Sequence, residues 1–121
     1  MTRLILTKRT KLFAYAVVRE LAKMPGSTLS KHIYYQLTRS ATSVAANYRA
    51  ACLAHSKSAF AAKLSIVIEE ADESVFWLEF IYDEALLKRD LIIPLIKEGQ
   101  ELTAIFVASR KTIQLNQKRG K

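Results

Sequence analysis

Seven carboxylates crowd into one stretch, Glu69, Glu70, Asp72, Glu73, Glu79, Asp83 and Glu84. On a helix such a run is the raw material of a di-iron carboxylate centre, which takes Glu-x-x-His pairs from facing helices of a bundle. Neither Glu69 nor Glu70 has a histidine three residues on, and the only histidines are His32 and His55. Both histidines fall near expected helix ends, where an exposed or capping role suffices. Cys52 has no histidine–carboxylate arrangement to make it a nucleophile. There is also no Gly-rich loop of the kind that cradles phosphates. The sequence therefore predicts no catalytic residues, no metal site, no cofactor and no enzymatic activity.

A second set lies on the preceding helical stretch. Gln36, Arg39, Ser43 and Asn47 form a polar stripe beside an apolar seam, and polar groups in that position must be solvated or paired. If the two stretches fold back around Ala54, facing residues have numbers summing to about 108–110 in an antiparallel hairpin. Arg39 then meets Glu70, with Glu73 in reach of the same planar guanidinium. The expected network is Gln36, Arg39, Ser43, Asn47, Glu70 and Glu73. Its role is register rather than stability, because desolvation offsets the attraction.

The third set is basic. The chain carries a net charge of +8, and it is unevenly spread. Residues 1–31 hold seven Lys/Arg against one acid, residues 32–58 three against none, and residues 93–121 six against two. Residues 59–92 reverse this, with three against eight. Such a balance suits a polyanionic partner. The candidates for phosphate contact are Lys8, Arg9, Lys11, Arg49, Lys57, Lys63, Arg110, Lys111, Lys118 and Arg119. Cations near the start of a helix oppose its macrodipole, so Lys8, Arg9 and Lys11 are not there to stabilise the helix end.

The elements that must carry these residues are helical. Phe13, Val17, Leu21 and Met24 mark a first apolar stripe, closed by Pro25-Gly26. Ile33, Leu37, Ala41, Val44, Tyr48 and Ala51 recur in steps of four and three, the seam of an antiparallel bundle. A longer seam runs Phe60, Leu64, Val67, Ala71, Ser74, Leu78, Ile81, Ala85. Ile66, Ile68, Val75 and Trp77 lie off it, which makes this helix either central or covered by another subunit. Pro94 suits the first turn of a last helix, whose buried face is Leu95, Leu102, Ile105, Phe106 and Ile113. The reading is all-α: one domain over residues 1–121, an antiparallel up-down-up-down four-helix bundle with helices at about 4–24, 28–53, 56–88 and 93–117. Cys52, the single cysteine, points to a reducing, cytoplasmic compartment. No apolar run reaches the roughly 18–20 residues that would span a bilayer.

Four blocks carry a resemblance: RTKLFA (9–14), QLTRSATSVAANYRAA (36–51), SKSAFAAKL (56–64) and EEADESVFWLE (69–79). Together they resemble the four-helix-bundle proteins of the 23S rRNA intervening-sequence family, which includes the accessory protein of diversity-generating retroelements. The chain departs from the family pattern at Ala59, where an acid usually precedes Phe60, and at Arg49-Ala50. The resemblance implies a bundle that assembles into a ring, typically a homopentamer, with basic surfaces. For the retroelement branch it further implies association with nucleic acid and a reverse transcriptase. The family name reports where the genes lie rather than a biochemical role.

The leading expectation is thus a non-enzymatic, oligomeric protein that binds RNA or DNA through its basic surfaces. No set of side chains suited to reading base edges is evident, so the binding is expected to be largely independent of sequence. The alternative is a protein-interaction scaffold, in which the acidic third helix pairs with basic first and fourth helices between subunits.

Overall fold

The computed structural model describes residues 1–119. Four helices follow one another: α1 Arg3–Leu21, α2 Thr28–Ala51, α3 Lys57–Asp83 and α4 Arg89–Arg119. Three N-termini are closed by hydroxyl caps. Thr2, Ser27 and Ser56 accept from the amides of Ile5, Ser30 and Ala59, three residues on in each case. Each cap satisfies one of the amides that a helix start leaves unpartnered.

Sequential helices run antiparallel and pack side by side, and α1 meets α4 to close the ring. The contact between α1 and α4 is the thinnest of the four. This is the expected up-down-up-down bundle. Its core takes most of the seam residues, with Val17, Ile33, Leu37, Val44, Leu64, Val67, Ile81, Leu102 and Phe106 fully buried. On α4, Leu95, Ile105 and Ile113 are only half-buried, and Ile92 is fully buried instead. Across one diagonal the Tyr48 ring of α2 meets the Phe106 ring of α4, centroids 5.1 Å apart.

Three details fix the axial register. Gln117 donates to Ser58 at 2.8 Å and Arg110 to Ser65 at 3.2 Å, so the end of α4 lies beside the start of α3. Arg9 joins α1 to Glu98 of α4. At the same level Gly99 leaves room for two neighbours: a Cβ there would lie 2.8 Å from Val75 Cγ2 and 3.4 Å from Phe13 Cζ. A stiff, buried valine cannot yield that space cheaply, which explains a glycine inside α4.

The expected boundaries of α3 and α4 need correction. The third helix stops at Asp83, not near 88, and Ala85 lies outside the seam with φ of 51°. The amide of Ala85 donates to Tyr82 O and that of Leu86 to Ile81 O. This is the paired bond of a Schellman turn, whose left-handed residue is ordinarily glycine. Replacing Ala85 by glycine is expected to raise stability by about 1 kcal/mol, since an L-residue in that region costs about 1–2 kcal/mol. A thermal melt checks this, and an unchanged or lower midpoint would refute it.

The fourth helix starts at Arg89, so Pro94 lies inside it rather than in its first turn. Two interactions draw the start back. Asp90 puts a negative charge in the first turn, where the macrodipole favours it, and the Arg89 side chain donates to Tyr82 O at the end of α3. One residue thereby begins α4 and caps α3. The first two helices end slightly earlier than expected, at Leu21 and Ala51.

Candidate nucleic-acid interface

Antiparallel packing rearranges the charge of the chain along the bundle axis. The half that carries the α2–α3 connection is built from residues 1–12, 40–68 and 102–119. It holds eleven Lys/Arg and no Asp or Glu. The opposite half, residues 13–39 and 69–101, holds seven Lys/Arg and all eleven acids, a net −4. Charges of one sign that lie within a Debye length, about 8 Å at physiological salt, reinforce one another toward a ligand. One end of the bundle is therefore a strongly positive surface and the other mildly negative.

The ten candidate cations all fall in the positive half, on several sides of it. Lys11 and Arg49 flank a groove between α1 and α2, with Lys8 exposed one turn before Lys11. Lys111 and Lys118 share the outer face of α4, and Arg119 follows at its end. Lys57 begins α3 beside them, while Lys63 and Arg110 are half-buried. Arg110 donates to the neutral hydroxyl of Ser65.

Arg9, alone among the ten, is already engaged by carboxylates. Its Nε donates to Glu98 at 3.1 Å and its Nη2 lies 3.1 Å from Glu101. The hydrogen bond to Glu98 outweighs desolvation and raises the pKa of this guanidinium. The other nine make no ion pair among the described residues.

Arg3, one residue before the expected start of the first helix, belongs to the same surface and is absent from the expected set. Its guanidinium stands 4.4 Å from the centre of the Phe60 ring, a cation–π contact.

The polar residues of α2 divide into three groups rather than one. Arg39 Nη1 donates to Glu70 at 2.9 Å and Nη2 to Glu73, and Trp77 Nε1 also donates to Glu73. The Arg39 side chain is 44% exposed, so the network is a surface clasp and not a buried one. Solvent screening keeps its stabilisation small. Asn47 bonds Ser43 Oγ and Ser43 O on its own helix. Gln36 is half-buried and makes no side-chain hydrogen bond among the described residues. The buried polar contact between α2 and α3 is a different pair: Ser74 Oγ to Ser40 Oγ at 3.0 Å, both fully buried. Ser74 Oγ also lies 2.8 Å from Glu70 O and Ser40 Oγ 3.3 Å from Leu37 O, so two hydroxyl protons serve three contacts in alternation. Ser74 fell on the seam as a small residue, and a seam of that spacing gives no sign of its partner.

Among the described residues no group of three or more His, Cys, Asp and Glu could hold a metal ion. Cys52 is half-buried at the end of α2. It neighbours Tyr48, whose phenol is pushed well above its ordinary pKa, chiefly by burial. No helix is long and apolar enough to cross a membrane among the described residues.

The family model of the 23S rRNA-intervening sequence protein matches residues 2–108. The chain belongs to that family. Among solved structures it is similar to a protein of unknown function from the S23 ribosomal protein family of Bacteroides thetaiotaomicron. The two are 26% identical, with a TM-score of 0.79 over 92% of this chain and 99% of that one. No curated protein matches the chain. Membership in the 23S rRNA-intervening sequence family accounts for the shared bundle.

Proposed function

We propose that this member of the family is a non-enzymatic protein that binds RNA or DNA through the phosphate backbone, using the acid-free half of the bundle. The observation that carries this reading is the separation of charge along the axis: eleven Lys/Arg and no acid in one half. A nucleic acid there meets few carboxylates, Glu98 and Glu101 being already paired with Arg9 at the border, and each neutralised phosphate releases a counterion. The cations lie on several sides, which fits contact with backbone rather than a single shaped pocket. Assembly into a homo-oligomer, a pentamer on the resemblance, would bring several positive ends to one strand and multiply weak contacts.

The test is affinity for RNA and for DNA over a salt series. The expected slope of log K against log salt is steep, about −0.9 for each phosphate engaged on duplex DNA. A flat slope, or no binding at low salt, rejects the reading.

A second reading uses the same observation. The net −4 half could receive the positive end of another copy, giving a scaffold in which the charge is consumed by assembly. Light scattering separates the two, because a scaffold held by charge dissociates as salt rises while a bundle held by apolar contacts does not.

A further inference from the structure

Within the positive half, one groove differs from the rest of the surface. Between α1 and α2, Ala14, Ala45 and Ala46 form a floor of methyl groups in a depression of about 280 Å³. Lys11 and Arg49 stand at its edges and Tyr15 forms part of its wall. Tyr15 is 47% exposed, and Lys11 Nζ sits 5.9 Å from the centre of its ring. The two hydroxyls at the groove, Thr7 and Thr42, already donate to carbonyls of their own helices, Arg3 O and Thr38 O.

We infer that this groove is a subsite for one unpaired nucleotide of a single-stranded nucleic acid, its base stacked on Tyr15 and its phosphates held by Lys11 and Arg49. The inference rests on the nucleic-acid reading above and narrows it to a strand type. The charge at the groove is wholly positive, so its occupant is anionic. The exposed ring and the alanine floor offer a flat apolar surface, so the occupant also has a flat apolar face. A nucleotide has both properties. A duplex hides its base faces in the stack, whereas a single strand can present one to an aromatic side chain. With the threonine protons engaged and Lys11 and Arg49 given to phosphate, the contact left for the base is stacking, and every base has a face to stack. The subsite is therefore indifferent to sequence.

The experiment compares a labelled oligothymidylate of about 12 nucleotides, within the span of common single-strand sites, with a duplex of the same length. Wild type, Tyr15→Ala and Tyr15→Phe are measured at one low salt concentration, with thermal melts and light scattering on each. Tyr15 is exposed, so all three are expected to fold alike. Tyr15→Ala is expected to lose about tenfold in affinity for the single strand, the lower part of the range for one stacked base. Its duplex affinity stays unchanged. Tyr15→Phe keeps the stacking surface and wild-type affinity. Equal losses on both probes, or none on either, overturn the subsite while leaving backbone binding in place. If wild type binds neither probe, the broader reading falls with it. A change of oligomeric state in Tyr15→Ala with nucleic-acid affinity intact gives the groove to a second copy of the chain and overturns the inference.

Discussion

Truncating Phe106 to alanine is expected to lower the free energy of unfolding by about 3–5 kcal/mol, the usual cost of removing a buried aromatic ring. Phe106 is fully buried, and its ring packs against Tyr48 with the planes 33° apart. The pair belongs to α2 and α4, which lie across a diagonal and meet through core side chains. Each neighbouring pair of helices has its own seam, and the two rings meet across the diagonal. An aromatic pair adds about 0.5–1.5 kcal/mol beyond the area it buries. Tyr48 also lines an open cleft with Met1, Arg3, Leu6 and Phe60. The space left by Phe106 would therefore adjoin solvent at the positive end. Against a total stability of about 5–15 kcal/mol for a domain, this is a large fraction. Urea unfolding measures it, with Ile113→Ala on the same helix as the comparison, since Ile113 is only half-buried. A loss below about 1 kcal/mol for Phe106→Ala, smaller than any ordinary cavity mutation of this kind, would mean the diagonal contact does not hold the bundle together.

Local spacing made much of this fold legible. Steps of three and four place Ile33, Leu37, Val44 and Tyr48 on one face, and those residues are buried. Hairpin arithmetic places Arg39 opposite Glu70 because α2 and α3 are joined by a short turn. Where the deciding contact is distant, spacing is silent. Arg9 looked like a free cation at the wrong end of a helix dipole, and its partners Glu98 and Glu101 are about ninety residues away. Pro94 looked like a first-turn residue, because nothing local reveals that Arg89 reaches back to Tyr82 O. Ala85 continued the seam by periodicity, yet the chain turns there through a left-handed residue. The candidate interface was obscured for a related reason. Counting charge along the chain shows one acidic segment among basic ones. Antiparallel folding then sorts each helix into two halves, and every acid falls on the same side.

That sorting yields a prediction about position rather than amount of charge. Replacing Arg110, Lys111, Lys118 and Arg119 by glutamine is expected to weaken nucleic-acid binding by roughly 10²–10³-fold at physiological salt, if all four reach phosphates. The salt slope should fall by about 3–4 at the same time. None of the four makes an ion pair among the described residues, and a glutamine at 110 keeps a donor for Ser65. The control removes the same charge from the other half: Arg19, Lys31, Lys88 and Lys97 to glutamine, all exposed and none in an ion pair. Both variants have the same net charge, so a purely long-range attraction would weaken them equally. Direct contact at the acid-free half predicts a loss under about tenfold for the control and little change in its slope. Equal losses in the two variants would refute the assignment of binding to that half.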